Sequence, residues 1–89
     1  MKNYLVVGFC GSMGKRRVRC LKALGVENIY GYDISSKSKS ESSKLNIKIV
    51  DKVEDFKSGV VILSTPPKHH VNYINLFLAQ KCHVFCEAS

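Results

Sequence analysis

The chain has 89 residues, of which 45% are hydrophobic, and a formal net charge of +7 at pH 7. This length allows one domain with a modest core, and the composition excludes global disorder. No apolar run approaches the roughly 20 residues that cross a bilayer. The run near the N-terminus is also shorter than the roughly 7–15 apolar residues of a signal peptide. These features favour a cytoplasmic protein that does not enter membranes.

Hydrophobic periodicity divides the chain into short strands and helices. Apolar runs predict five strands, at residues 4–9, 28–33, 45–50, 60–63 and 81–87. Helical spacing of apolar residues predicts one helix at residues 13–24 and a second that begins in residues 64–70. A short helical turn is expected at residues 51–56. The serine-rich residues 35–43 have no apolar face, so we expect a loop or a weak, mobile helical turn.

Each predicted helix has a signal for one of its ends. Gly25 is expected to cap the C-terminus of the first helix. Thr65 is expected to be the N-cap of the second, before Pro66 and Pro67, which suit the first helical positions. The buried stripes are predicted to consist of Val18, Leu21 and Leu24 in the first helix and Val71, Ile74 and Leu78 in the second.

The order of these elements is typical of an α/β fold, a doubly wound parallel sheet. Right-handed crossovers limit the strand orders, and 3-2-1-4-5 is the expected one. Ligands then bind at the carboxyl ends of strands 1 and 4, where the winding reverses. The two most distinctive stretches, GFCGSMGK at residues 8–15 and STPPKHH at residues 64–70, follow those two strands. The sequence therefore predicts a ligand site between them.

The glycines of GFCGSMGK are spaced GxxGxxG, one residue longer than the dinucleotide fingerprint GxGxxG. A loop that leads into a helix N-terminus presents unpaired N–H groups and a positive dipole end, which suit a pyrophosphate. Gly8 would allow the tight turn, Gly11 the close approach of the phosphates, and Gly14 the packing of helix on sheet. The alternative is an ordinary strand–helix turn that needs glycine.

Asp33 ends the second predicted strand, 19 residues after Gly14. An acidic residue at that place accepts hydrogen bonds from the adenine-ribose hydroxyls and repels a 2′-phosphate, which favours NAD over NADP. Ser35, Ser36 and Lys37 would still accommodate a phosphate, so NADP stays open. The alternative is that Asp33 caps the turn at Ser35 or Ser36.

The cysteines, histidines and basic residues suggest no other site. The cysteines lack zinc-type spacing, so we expect free, mostly buried thiols at Cys10, Cys20, Cys82 and Cys86. No metal site is predicted, because His69 and His70 have no third ligand at suitable spacing. His69 is expected to contact solvent, His70 to pack or hydrogen-bond beside the cleft, and His83 to be structural. A basic nucleic-acid-binding protein is the least favoured alternative, because no nucleic-acid-binding motif accompanies the charge.

The stretches VVGFCGSMGKRRVRCLKALGV, YGYD and VVILSTPPKHH…KCHVFCE resemble the N-terminal domain of the glucose–fructose oxidoreductase/inositol dehydrogenase family (Gfo/Idh/MocA). The resemblance implies a Rossmann-type fold and an NAD(P) cofactor for hydride transfer to or from a sugar, polyol or related secondary alcohol. It also implies a set of cofactor contacts. These are Gly11, Ser12, Met13 and Gly14 at the pyrophosphate, Asp33 at the adenosine ribose, Ser64, Thr65 and Pro66 along the middle of the cofactor, His70 nearby, and Glu87 at the nicotinamide ribose.

The chain departs from the pattern of that family after its last predicted strand. The family has Glu-Lys-Pro, whose lysine orients and polarises the substrate, where this chain has Glu87-Ala88-Ser89. The second α/β domain of the family is also not present in these 89 residues. We therefore interpret residues 1–89 as a dinucleotide-binding domain, a fragment of a larger two-domain protein, and expect no catalysis from this chain alone. The alternative is a catalytically silent nucleotide-binding or regulatory module.

The last predicted strand also suggests a partner. If residues 81–87 form the outer strand, that strand leaves an edge of unpaired N–H and C=O groups. Two identical edges can pair antiparallel about a two-fold axis. We therefore expect a homodimer formed through the edge of strand 5.

Overall fold

The computed structural model describes residues 2–86, in which five strands alternate with three α-helices. The strands are β1 (Tyr4–Val7), β2 (Ile29–Tyr32), β3 (Lys48–Ile49), β4 (Val60–Leu63) and β5 (His83–Cys86). The helices are α1 (Ser12–Ala23), α2 (Ser38–Leu45) and α3 (His70–Ala79), and 3₁₀ turns occupy Val53–Asp55 and Pro67–His69. The predicted helical turn within residues 51–56 is therefore present.

All five strands are parallel, and their order is β3-β2-β1-β4-β5. The predicted Rossmann-type α/β fold and its strand order are confirmed. The central strand β1 pairs Val6 with Gly31 of β2 on one side and with Ile62 of β4 on the other. The winding reverses between β1 and β4, so their carboxyl ends define the expected ligand position.

The strand residues alternate between two packed layers, because successive side chains point to opposite faces of the sheet. On one side, here called the α1 face, Val6 packs with Val18, Leu21 and Ile29. The other side is the α3 face, and its buried cluster consists of Leu5, Val7, Val53, Phe56, Val61, Leu63, Phe77 and Cys82. The sheet therefore has one core on each side, and β1 contributes to both.

Helix α2 corrects the prediction of a loop or weak turn at residues 35–43. Its residues lack an apolar face, but the helix is anchored from outside its own sequence. The Nζ of Lys15 in α1 lies 3.0 Å from a carboxylate oxygen of Glu41. Ser42 is buried, and Leu45 packs against the buried cluster of the α1 face. The predicted third strand is shorter than 45–50 because the helix runs to residue 45 and Asn46 adopts a left-handed conformation.

The predicted stripes of both long helices need correction at their outer positions. Leu24 is 80% exposed because α1 ends at Ala23, and Gly14 is buried on the sheet side instead. Val71 and Leu78 are also exposed, and the sheet-facing positions of the last helix are Tyr73, Ile74, Leu76 and Phe77. This helix begins at residue 70, after the 3₁₀ turn at Pro67–His69.

The helix caps were predicted correctly at one end and wrongly at the other. Gly25 has a φ of +85°, and Gly25 and Val26 donate backbone hydrogen bonds to Lys22 and Leu21, which is a Schellman cap. Thr65 is not an N-cap, because Pro66 occupies the N-cap position of the 3₁₀ turn. No side chain forms a capping hydrogen bond there.

The expectation that the cysteines are mostly buried was also wrong. All four thiols are free, but Cys82 alone among them is buried. Cys10 is half-buried, and Cys20 and Cys86 are exposed.

Candidate functional site

A cleft of about 540 Å³ opens at the carboxyl ends of β1 and β4. Three segments form its walls: the loop after β1, the end of β2 with the residues that follow it, and the loop after β4. The predicted site residues in these walls are Gly8, Gly11, Asp33, Ser64, Thr65 and Pro66. The cleft therefore lies where the reversal of winding predicts a ligand.

The loop after β1 turns sharply and ends at an uncapped helix. Gly8 has a φ of +84°, and the N–H of Gly11 donates to the carbonyl of Gly8 at 3.2 Å. Gly11 is the N-cap of α1, so no side chain bonds the first N–H groups, and the first turn has no acidic residue. These donors and the positive end of the helix dipole are therefore available to an anion.

The three glycines of the loop have different surroundings. A Cβ at Gly14 would overlap the carbonyl oxygen of Gly8 and the Cα of Phe9, so only glycine allows α1 to pack this closely. A Cβ at Gly8 would lie 2.9 Å from the Cγ2 of Thr65. A Cβ at Gly11 would meet one atom, the carbonyl oxygen of Gly8, at 3.7 Å. Gly11 thus borders open space that a phosphate group can enter.

Asp33 joins the end of β2 to the glycine loop. Its Oδ2 accepts a hydrogen bond from the backbone N–H of Cys10 at 3.0 Å, and its Oδ1 accepts one from the N–H of Ser35 at 2.9 Å. The predicted turn cap at Ser35 is therefore present. Each carboxylate oxygen has a second lone pair, so the same carboxylate can also accept bonds from ligand hydroxyls.

The loop after β4 presents two buried hydroxyls to the cleft. The Oγ of Ser64 and the Oγ1 of Thr65 are buried, and neither has a hydrogen-bond partner within the described part of the chain. Buried polar atoms are nearly always paired, so unpaired ones in a cleft wall suit a polar ligand. The Nε2 of His70 lies 2.7 Å from the carbonyl oxygen of Thr65, which ties the start of α3 to this loop.

Four further predicted site residues, Ser12, Met13, Gly14 and His70, are not among the residues that line the cleft. Ser12, Met13 and Gly14 form the first turn of α1, where Gly14 is buried against the loop. His70 was predicted to pack or hydrogen-bond beside the cleft, and its ring bonds the backbone of Thr65, which lines the cleft. Glu87 lies outside the described residues.

Sequence reasoning missed several residues of the cleft walls, among them Cys10, Tyr32, Ile34, Lys68 and Tyr73. Two of these had a signal in the sequence. Ile34 is an isolated apolar residue directly after Asp33, and it is 87% exposed. Tyr73 follows His69 by four residues, which places both on one side of the helix start. His69 is exposed, as expected, and also lines the cleft.

Two groups in the cleft have pKa values above their ordinary range. Burial raises the pKa of the Cys10 thiol, and the nearby Asp33 carboxylate adds to the effect. Burial also raises the pKa of the Tyr73 hydroxyl, with smaller contributions from Tyr32 and Asp33. Both groups are therefore neutral at pH 7, and Asp33 is the acidic residue that lines the cleft.

Residues 2–86 contain no group of histidine, cysteine and acidic side chains that could hold a metal ion. Within the same residues, none of the helices has the length and apolar character to span a bilayer.

A parallel sheet of order 3-2-1-4-5, a glycine turn before an uncapped helix and an acidic residue after β2 together define a dinucleotide-binding domain of the Rossmann type. The sequence model of the Gfo/Idh/MocA family, described as an oxidoreductase family with an NAD-binding Rossmann fold, matches residues 2–88. The chain belongs to this family, and its cofactor is a nicotinamide dinucleotide.

A solved structure supports the fold. An NAD-binding protein from Listeria innocua superposes with a TM-score of 0.78 at 23% sequence identity. The superposition covers 96% of this chain and 26% of the Listeria chain, so this chain spans about a quarter of the length of that protein. No curated protein matches the sequence.

Proposed function

We propose that the cleft binds NAD and that this domain supplies the cofactor to an oxidoreductase acting on a sugar, polyol or related secondary alcohol. The observation that carries the proposal is the bond between the Asp33 carboxylate and the N–H of Cys10. This bond holds an acid for the adenosine ribose beside the loop that faces the pyrophosphate. One wall of the cleft can therefore contact both the adenosine ribose and the pyrophosphate of the dinucleotide.

The cofactor would lie across the cleft from β2 to β4. The N–H groups of the first turn of α1 would bind the pyrophosphate above Gly11, where the structure has open space. The unpaired hydroxyls of Ser64 and Thr65 would donate to the middle of the cofactor. His70 would hold Thr65 in place, and Glu87 would approach the nicotinamide ribose. When bound, the nicotinamide ring supplies hydride transfer, and the residues of this chain bind and orient it.

NAD is favoured over NADP because a 2′-phosphate would meet the Asp33 carboxylate. A smaller recess of about 230 Å³ adjoins Asp33 and is lined by Ser35, Ser36 and Lys39. The hydroxyls and the Lys39 ammonium would weaken this repulsion, whereas Asp51, which also lines the recess, would add to it. We therefore expect a preference for NAD rather than an absolute exclusion of NADP.

The substrate class rests on the family to which the chain belongs. We propose that residues 1–89 are the cofactor domain of a larger two-domain protein, because the Listeria protein is much longer than the part that matches. A second domain would supply the substrate pocket and exclude water from the nicotinamide. The 89 residues by themselves are then inactive, because the substrate pocket belongs to that second domain.

A catalytically silent nucleotide-binding or regulatory module is the second candidate. Ala88 is the specific observation in its favour, because the position where the family has its catalytic lysine here has a methyl group. Restoring lysine by Ala88→Lys and joining the chain to a family substrate domain separates the two. Polyol-dependent NADH formation by the unaltered chain in that fusion supports the enzyme, and activity that requires the lysine supports the silent module.

We propose that the chain forms a homodimer through the outer edge of β5. The strand pairs with β4 on one side, and its other side carries no strand among the described residues. Sedimentation from low to high micromolar concentration tests this proposal. A species that stays monomeric throughout would refute it.

We also propose a cytoplasmic location, because four free thiols suit a reducing compartment. Fractionation of cells that express the tagged protein tests this assignment. Recovery in a secreted or membrane fraction would contradict it.

Cofactor titration tests the central proposal. NADH fluorescence should report saturable binding to the chain, with weaker binding of NADPH. A short DNA duplex serves as the comparison ligand over a salt series. Binding that is stronger for DNA and collapses as salt rises would indicate a phosphate-driven polyanion site instead. If neither NADH nor NADPH binds at millimolar concentration, the proposal is refuted.

A further inference from the structure

The cofactor cleft has lining residues that the proposed contacts with NAD leave unused. Five of them have no role at the pyrophosphate, at the ribose or along the middle of the cofactor: Tyr32, Ile34, Lys68, His69 and Tyr73. They belong to the end of β2, the residue after Asp33, the 3₁₀ turn after β4, and α3. Three of the five carry aromatic rings, which is a composition typical of ligand pockets.

Ile34 places an apolar side chain beside the carboxylate that would bind the adenosine ribose. It follows Asp33 directly and is 87% exposed, more than any other large apolar residue among residues 2–86. Single apolar residues on a surface are ordinary, but this one also lines the cleft. A ligand ring that covered Ile34 would remove its apolar surface from water, which favours binding.

Tyr73 contributes a polar group whose position is fixed by the core. Its half-buried ring stacks on the buried Phe77, with the ring centroids 6.3 Å apart and an angle of 23° between the planes. Burial raises the pKa of the Tyr73 hydroxyl, and Tyr32 and Asp33 add to the effect. The hydroxyl therefore keeps its proton at pH 7, and it can both donate and accept a hydrogen bond.

The base of a dinucleotide is joined to the ribose whose hydroxyls Asp33 would bind, so the base lies next to Asp33. Two recesses adjoin this carboxylate, the cleft itself and a smaller recess of about 230 Å³. Hydroxyls and the charged Lys39 and Asp51 line the smaller recess, whereas the cleft offers Ile34 and Tyr73. A base has flat uncharged faces and hydrogen-bonding edges, so it suits the cleft better than the charged recess.

We propose that Ile34 and Tyr73 determine which base the cofactor carries, a proposal that rests on the binding of NAD in the cleft. Ile34 packs on one face of the adenine ring, and the Tyr73 hydroxyl hydrogen-bonds to the edge of that ring. The chain selects adenine over smaller bases, because a shorter ring leaves the Tyr73 hydroxyl without its partner. This selection is distinct from the choice between NAD and NADP, which depends on the 2′ position of the ribose.

Two reduced dinucleotides that differ only in the base test the proposal. NADH carries adenine, and reduced nicotinamide cytosine dinucleotide carries a pyrimidine on the same riboses, pyrophosphate and nicotinamide. Nicotinamide fluorescence reports the binding of both to the 89-residue chain, and we expect NADH to bind at least about tenfold more tightly. Equal affinities would overturn the proposal and leave the cofactor assignment intact. Binding of neither dinucleotide would refute the cofactor assignment on which the proposal rests.

Two conservative substitutions assign the preference to these side chains. Tyr73→Phe removes only the hydroxyl, so NADH should bind about fivefold more weakly, while the affinity of the cytosine dinucleotide should not change. Ile34→Ala should weaken NADH binding about tenfold, because the exposed side chain would contact the base. Equal losses for both dinucleotides with Tyr73→Phe would mean that Tyr73 supports the cleft wall without contacting the base, which contradicts the proposal.

Each substitution has a matched control. Tyr30→Phe is the control for Tyr73, because Tyr30 is also half-buried, packs edge-on against Phe56 and is not among the residues that line the cleft. Val71→Ala is the control for Ile34, because Val71 is exposed and also not among the lining residues. Circular dichroism checks that each variant is folded. Neither control should change the ratio of the two affinities, and a change equal to that of its cleft variant would contradict the assignment.

The smaller recess is the competing position for the base. Lys39→Ala alters that recess and leaves Ile34 and Tyr73 in place. If Lys39→Ala removes the preference for NADH and the two cleft variants do not, the base lies in the recess and the proposal fails. A preference that persists in Lys39→Ala and falls in Tyr73→Phe supports it.

Discussion

Two strand-to-helix turns line the cleft, and they differ in the residues that form them. The turn after β1, residues 8–11, uses glycine and leads directly into α1. The turn after β4, residues 64–69, uses proline and a 3₁₀ segment before α3. The first leaves backbone N–H groups open, and the second leaves the hydroxyls of Ser64 and Thr65 open.

This difference separates two kinds of recognition. Backbone donors at a helix start are kept by every substitution except proline, so the first turn depends on the space that small residues leave. Side-chain donors depend on a fixed loop, and in the second turn the bond from His70 to Thr65 supplies that fixation. We therefore expect the first turn to be sensitive to added volume and the second to lost hydrogen bonds.

The largest effect is expected for Gly14→Ala in the first turn. The added Cβ would overlap the backbone of Gly8 and Phe9, which cannot yield as a side-chain tip can. The free energy of unfolding should fall by about 3 kcal/mol. Urea unfolding measures this loss, and Gly11→Ala is the matched control, since its Cβ has space. Equal stabilities of the two variants would mean that the loop adjusts freely.

Gly11→Val should separate binding from stability in the same turn. The side chain would enter the space assigned to the pyrophosphate, so NADH affinity should fall at least about 30-fold, or 2 kcal/mol. Stability should change by less than about 1 kcal/mol, because Gly11 is an exposed N-cap. Titration and urea unfolding of the same sample give both values. Normal NADH binding by the variant would mean that the loop is only a structural turn and does not bind the pyrophosphate.

Asp33→Ala tests whether the residues after β2 act with the first turn in choosing the cofactor. NADH affinity should fall about tenfold while NADPH affinity changes little, because the lost carboxylate also stops repelling the 2′-phosphate. The same substitution removes the bonds to Cys10 and Ser35. A parallel fall in both affinities would mean that Asp33 only positions the loop.

His70→Ala tests the second turn. Loss of the 2.7 Å bond to Thr65 should lower the unfolding free energy by about 1 kcal/mol and weaken NADH binding through the displaced loop. The neighbouring His69→Ala is the control for stability, because His69 is exposed. If both substitutions cost the same stability, the hydrogen bond does not fix the loop.

Glu41→Gln should have the smallest effect and tests the support behind the first turn. The ammonium of Lys15, which follows the glycine loop, holds the pKa of the Glu41 carboxyl below its usual range. A lowered pKa stabilises the fold above the ordinary glutamate range, and this contribution is lost as pH falls through the folded value. The unfolding temperature of the wild type should therefore be slightly higher than that of the variant at neutral pH. In strongly acidic solution the two temperatures should be equal. Thermal unfolding across pH measures this, and a constant difference would exclude the ion pair as its cause.

The outcome of sequence reasoning differed between the two turns. The spacing of glycines identified the first turn because sterics require glycine there, as the crowded surroundings of Gly14 show. In the second turn Pro66 and Pro67 indicated a helix start, but a 3₁₀ turn came first, and local preference does not distinguish the two. Thr65 was therefore assigned a capping role, whereas its hydroxyl is buried and has no hydrogen-bond partner among residues 2–86.

The sequence by itself determined the parallel α/β plan, the strand order and the position of the cleft. These follow from local periodicity and from the handedness of crossovers, which every segment obeys independently. Tertiary structure alone decided the helical state of residues 38–45, the buried face of α3 and the bond from Cys10 to Asp33. Each of these depends on a contact between residues far apart in the chain, such as Lys15 with Glu41. A local sequence pattern cannot predict such a contact, because the two residues become neighbours only when the sheet has formed.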